Sequence, residues 1–149
     1  MTQPRSGRIL AIDPGEKRIG VAAADLRTRL AVPVPTIDAG ADPVEAVTPL
    51  AREQDAQALV VGLALTLSGA RGPQAQRAQA LADALAGRLD IPVHTWDERL
   101  TSAEARHRLP RPAGRASARK RRPKGDLDAM AAAIILQAYL DSQRGSASG

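Results

Sequence analysis

The chain contains no cysteine and no phenylalanine, and its only large aromatic residues are Trp96 and Tyr139. Without cysteine there is no disulfide framework, no thiolate zinc site and no thiol nucleophile, and a reducing compartment is the natural setting. Two histidines, His94 and His107, leave little for a zinc site built on imidazole. No run approaches the ~20 apolar residues of a bilayer-spanning helix. The start, Met1-Thr2-Gln3-Pro4-Arg5, lacks an apolar signal core. The expectation is a cytoplasmic protein with no membrane partner. Scarce aromatics also leave base stacking little to work with, so any nucleic acid is expected to be held by its backbone and shape.

What the chain does have is one domain's worth of material, 149 residues of which 44% are hydrophobic and 25% charged. The expectation is a single domain over 1–149, with a basic flexible loop at 110–124 and a frayed tail at 144–149. The formal charge of +5 is unevenly spread. From Arg99 to Lys124 stand ten basic residues and one acid, Glu104, a net +9, which leaves the rest of the chain at −4. Arg119, Lys120, Arg121, Arg122 and Lys124 form the densest part. Such a field beside an acidic body points to a polyanion, since guanidinium groups donate in pairs to phosphate. The plainer reading is a solvated basic loop.

Ile9-Leu10-Ala11-Ile12, ending at Asp13-Pro14-Gly15, reads as a buried strand and a turn. Ile19 to Ala24 gives a second strand. Leu30 to Ile37, broken by Pro33 and Pro35, gives a third at a sheet edge, completing an antiparallel meander. Asp42-Pro43-Val44-Glu45 carries an N-cap, a first-turn proline and a capping-box acid, and opens a helix to about Gln54. Ala58 to Leu63 is the strongest buried strand. Ala75, Ala78, Leu81, Ala82, Leu85 and Leu89 recur at helical spacing, leaving Gln76, Arg77 and Asp83 outward. Ile91 to Trp96 is a fifth strand, stopping at Asp97-Glu98-Arg99. Thr101 with Glu104 caps a short helix to Leu109, and Asp126 opens the last helix, with Leu127, Met130, Ala131, Ile134, Ile135 and Ala138 as its apolar face. A meander followed by alternating helix and strand implies a mixed sheet with helices on its faces.

Sites in open α/β sheets collect at the carboxyl ends of strands, where Asp13, Glu98 and the loop after Leu63 all fall. Asp13, Glu98 and Asp128, from three separate segments, would together make an oxygen-rich pocket suited to Mg²⁺ or Mn²⁺. Two such ions can clamp the in-line attack of water on a phosphodiester. Each acid has a plainer reading. Asp13 can simply begin a turn, Asp97 and Glu98 can be surface acids with Asp97 accepting backbone N–H groups, and Asp128 can be a favourable first-turn charge. Asp126 reads better as an N-cap than as a ligand. His94 and His107 read as ordinary residues. Gly69-Ala70-Arg71-Gly72 before a helix is a weak phosphate cradle that lacks the P-loop pattern. Ser68 and Thr66 lack a histidine and acid arranged for nucleophilic catalysis.

Four ordered blocks give these segments a family resemblance. They are Leu10 to Ala22 (LAIDPGEKRIGVA), Val60 to Leu63 (VVGL) with Gly69 to Gln76, Trp96 to Ala105 (WDERLTSAEA), and Lys124 to Gln137 (KGDLDAMAAAIILQ). The chain resembles the YqgF/RuvX family of bacterial RNase H-like nucleases, often called Holliday junction resolvase-like. The resemblance implies an α/β RNase H-like fold, with a five-stranded mixed sheet flanked by helices. It also implies a divalent-metal centre of Asp13, Glu98 and Asp128, with Asp13 the central ligand. Lys17 and Arg18 would contact substrate backbone, and Arg99 would orient Glu98 or a phosphate. Ala64 departs from the proline common in the family after Val-Gly-Leu, which bears on the following loop and leaves the acids untouched.

The activity so implied is maturation of the 5′ end of pre-16S ribosomal RNA, with junction resolution as the alternative. Fold and charge do not choose between them. A resolvase acts symmetrically on two strands and is expected as a homodimer, whereas an RNA-processing nuclease need not be one. A non-catalytic RNA-binding assembly factor would use the basic field alone. An actin-like or sugar-kinase-like ATPase begins with a similar strand-Asp-x-Gly turn, but needs two such domains and has no place for the Asp97-Glu98-Arg99-Leu100-Thr101 block.

Overall fold

The structure, a computed structural model, describes residues 7–15, 17–40, 42–65, 72–100 and 124–147, with side chains of the last helix described over 129–143. Five strands, β1 (Arg8–Pro14), β2 (Arg18–Asp25), β3 (Ala31–Asp38), β4 (Ala56–Leu63) and β5 (Val93–Asp97), form one sheet in the order β3-β2-β1-β4-β5. The meander β1-β2-β3 is antiparallel, with β3 at an edge, and β4 and β5 run parallel to β1. The helices are α1 (Pro43–Glu53), α2 (Pro73–Arg88) and α3 (Lys124–Ala147).

Alternation along the central strands explains the layering. Leu10 and Ile12 of β1, Ile19 and Val21 of β2 and Leu59, Val61 and Leu63 of β4 point to one face and pack with Val47 and Ala51 of α1 and Leu81 and Leu85 of α2. Ile9 and Ala11, Ala22 and Ala24, and Val60 point to the other face, where α3 contributes Ala132, Ala133, Ile135, Leu136 and Leu140. Buried on both faces, these strands read in sequence as continuous apolar runs.

The local signals act where expected. Asp42 Oδ1 accepts from the N–H groups of Val44 (3.1 Å) and Glu45 (3.4 Å), with Pro43 in the first turn of α1. On α2 the apolar stripe is buried while Gln76, Arg77 and Asp83 are exposed. Three boundaries or faces differ from the sequence reading. β5 begins at Val93 rather than Ile91: Pro92 has no N–H for the ladder, although its carbonyl accepts from Leu59 N at 3.0 Å. α3 begins at Lys124, so Asp126 lies inside the first turn rather than at the cap.

The buried stripe of α3 is also rotated from the expected one. Of the expected face Ile135 and Ala138 are buried, Met130, Ala131 and Ile134 are only half-buried and the Leu127 side chain lies outside the described residues, while Ala129, Ala132, Ala133, Leu136 and Leu140 are buried as well. The helix is apolar nearly all round, so periodicity cannot choose its inner face. Gln137, fully buried, fixes it: Oε1 accepts from Ala31 N at 3.0 Å, and Nε2 donates to the Arg29 carbonyl at 3.3 Å and Asp141 Oδ1 at 3.2 Å. The expected helix from Thr101 to Leu109, the linker from Pro110 to Pro123 and the loop from Thr66 to Arg71 lie outside the described residues.

Candidate active site

Asp13 is the next-to-last residue of β1, opposite Gly20 of β2. It continues the Ile9, Ala11 alternation, which places it on the α3 face of the sheet. The hairpin beyond it is tight. The Gly15 N–H donates to the Arg18 carbonyl at 3.0 Å, and a Cβ on Gly15 would sit 2.6 Å from that oxygen, so only glycine fits. Lys17 is exposed in this turn, its carbonyl accepting from Ala39 N at 2.9 Å. Arg18 begins β2 and shares the face of Ala22 and Ala24 by the same alternation. Both cations therefore stand at the strand end that carries Asp13.

β4 brings the second acid across. Gly62 of β4 pairs with Trp96 of β5, and Leu63 with Asp97. Just beyond Asp97 a short 3₁₀ turn, Glu98–Leu100, turns the chain. The Glu98 side chain lies over Gly62, where a Cβ would fall 3.0 Å from Glu98 Oε2 and 2.6 Å from Ile135 Cδ1 of α3. An isolated glycine inside a strand often marks such a close approach, and this is the one signal in the sequence that could have found it.

The carboxyls of Asp13 and Glu98 come within hydrogen-bonding reach of each other. Burial pushes Glu98 above the usual carboxylate range, the bond to Asp13 opposes this, and the nearby charge of Asp97 adds to the rise. Asp97 is held low by Arg99. Arg99 Nε donates to both Asp97 oxygens at 3.0 Å, Nη2 donates to Oδ2 at 2.6 Å, and the Arg99 N–H donates to Oδ1 at 2.9 Å. Arg99 therefore clamps Asp97 and, through it, the turn that presents Glu98. The reading of Asp97 as an acceptor of backbone N–H groups is what the structure shows.

Asp128 lies near the start of α3, seven residues before Ile135, and its side chain is outside the described residues, as are those of Arg119, Lys120, Arg121, Arg122 and Lys124. Among the described residues no three acids or histidines come together. The pair that does meet offers only carboxylate oxygens, the donors a hard divalent cation prefers, and two negative charges so close repel unless a positive one is placed between them. The residues present fit a hard divalent cation.

Comparison with known proteins bears on the family and the fold. A family model described as "RuvX: Holliday junction resolvase" matches residues 7–142. A relative from Chloroflexus aurantiacus, named "Putative pre-16S rRNA nuclease", is 46% identical over 139 residues, covering 91% of this chain and 88% of its own. Relatives of the same name from Pelotomaculum thermopropionicum (42%, 91% and 88% covered) and Thermobifida fusca (42%, 94% and 91%) are similarly close. Among solved structures, T. thermophilus RuvC in complex with Holliday junction substrate superposes with a TM-score of 0.57 at 14% identity, covering 93% of this chain and 96% of that one. The fowlpox virus Holliday junction resolvase gives 0.56 at 10% identity, with 91% and 99% covered. At such identities the shared feature is the fold.

Proposed function

Because the chain belongs to the RuvX family, a family of hydrolases acting on nucleic acid, we propose that it is a cytoplasmic, divalent-cation-dependent nuclease that hydrolyses RNA phosphodiester bonds in 5′-end maturation of pre-16S rRNA. The observation that carries this reading is the meeting of Asp13 and Glu98 over Gly62, at the carboxyl ends of parallel strands. The choice of RNA rests on the name shared by relatives at 38–46% identity.

Asp13 and Glu98 hold the cation, and Asp128 completes the set. The helical period supports that third role, since position 128 falls on the stripe of Ala132 and Ile135, which packs on the face carrying Asp13. When bound, Mg²⁺ or Mn²⁺ supplies positive charge against the phosphoryl oxygens and makes water more acidic. Lys17 and Arg18 bind neighbouring backbone phosphates and fix the strand against the acids. Arg99 holds Asp97, so the turn keeps Glu98 aimed at Asp13. The Arg119–Lys124 field raises the local concentration of polyanion and supplies affinity rather than chemistry. Among the described residues no helix is long and apolar enough to cross a membrane.

The test is cleavage by the wild-type protein of an RNA spanning the 5′ end of pre-16S rRNA and of a four-way DNA junction, with Mg²⁺, Mn²⁺ or EDTA. Cation-dependent cutting of the RNA is the expected result. Preferential cutting of the junction, with a dimer in solution, would replace RNA processing by resolution. Binding without cutting under every condition would leave an assembly factor.

A further inference from the structure

The chain's only tryptophan and only tyrosine meet one of its two histidines on a single face of the fold. His94 and Trp96 share one face of β5, the turn that carries Glu98 follows at its end, and Tyr139 of α3 reaches both rings. His94 and Tyr139 are stacked, with centroids 5.6 Å apart and planes 27° from parallel, and Trp96 meets Tyr139 edge-on at 6.0 Å and 87°. His94 is exposed while Trp96 and Tyr139 are half-buried, so the imidazole is the outer leaf of a backed stack.

Two further features separate this cluster from ordinary packing. The Trp96 indole N–H is buried without a partner among the described residues, although buried tryptophans ordinarily find one. The cluster also borders the acids: Trp96 pairs directly with Gly62, the residue beneath Glu98. From His94 to Asp97, its last residue, β5 advances roughly 10 Å and Glu98 follows in the next turn, a span of a few nucleotides on a strand leaving the acids along β5.

We infer that His94, backed by Tyr139 and Trp96, is a stacking ledge that takes one unpaired nucleobase of the substrate strand, a few nucleotides from the scissile phosphate. This ledge rests on the reading of Asp13 and Glu98 as a nucleic-acid site, and it gives that site a preference for single-stranded over fully paired substrate. A planar ring on a planar ring is tolerant of base identity, because every base has a π-face. Sequence composition alone argues against stacking; the fold gathers what few rings exist into one place.

The experiment is a binding measurement in the non-cleaving Asp13→Asn protein, using a short single-stranded RNA and a series in which each nucleotide in turn is abasic. One abasic position is expected to weaken binding roughly 5- to 100-fold, the range of base–aromatic stacking. That dip should vanish in Asp13→Asn/His94→Ala and return in Asp13→Asn/His94→Phe, which keeps a flat ring at this exposed position. A flat abasic profile, a dip unchanged by His94→Ala, or no binding of single-stranded RNA overturns the ledge. If wild-type protein cuts RNA while the profile is flat, the ledge alone falls. If the dip appears in a chain whose wild-type form cuts nothing, the ledge stands and the cleavage reading falls.

Discussion

Glu98 rests on Gly62: a Cβ at that position would lie 3.0 Å from its Oε2 and 2.6 Å from Ile135 Cδ1, so one missing methyl group makes room for both a site carboxyl and a core side chain. Gly62→Ala is therefore expected to cost about 1–3 kcal/mol of stability, the usual range for overpacking. It should also displace Glu98 from Asp13 and lower cleavage more than its stability loss explains. Denaturant unfolding and cleavage rates on the same preparations check both. Wild-type activity in the variant would show that Glu98 does not need this seat.

The raised pKa of Glu98 gives the fold a pH dependence of definite sign. The native state holds its proton above the unfolded value of 4.5, so it binds more protons than the unfolded chain between 4.5 and the native pKa. The stability this contributes is complete below 4.5 and is lost as pH rises through the native value. Without divalent cation, Glu98→Gln should therefore unfold at a higher temperature than wild type at neutral pH, and should lack that downward slope. Mg²⁺ should raise the midpoint of wild type and not of Glu98→Gln. Thermal unfolding from pH 4 to 8, with EDTA or Mg²⁺, reads both effects.

Arg99 offsets the charge of Asp97, which itself raises Glu98. Arg99→Ala should leave that charge uncompensated, push Glu98 higher still, and move the acid limb of the pH–rate profile upward. Arg99→Lys keeps a cation but not the planar fork, so it should restore the profile only in part. An unmoved acid limb in Arg99→Ala would place Arg99 outside the control of the site.

The basic segment should govern affinity without governing chemistry. Replacing Arg119, Arg121 and Arg122 together by alanine is expected to weaken RNA binding and reduce the salt slope by about 0.7 per lost phosphate contact on a single strand. Single-turnover cleavage at saturating protein should stay near wild type. Equilibrium binding across a salt series separates this from a merely solvated loop, whose loss would change neither affinity nor slope.

Much of this was legible in the chain because the signals were local. The double-faced apolar runs of β1 and β4, the Asp42-Pro43 start of α1 and the Asp13-Pro14-Gly15 turn each act over a few residues, and the structure places them as read. Long-range choices were hidden. The inner face of α3 depends on Gln137 reaching the backbone of Ala31, 106 residues away, which no periodicity in an alanine-rich helix can show. The approach of Asp13 to Glu98 depends on β4 standing between β1 and β5, and the role of Gly62 appears only once that order is known. The three-ring cluster was equally hidden, since β5 and α3 supply its members from 43 residues apart along the chain.

The central claim, that Asp13 belongs to a cation-dependent nuclease centre, is tested most directly by single-turnover cleavage of labelled RNA by wild type and Asp13→Asn at saturating Mg²⁺ and protein. A lost cation interaction worth several kcal/mol in the transition state corresponds to a fall of about a thousandfold or more. Removing a carboxylate beside phosphate should leave RNA binding equal or tighter. Cleavage by Asp13→Asn at the wild-type rate would contradict the account.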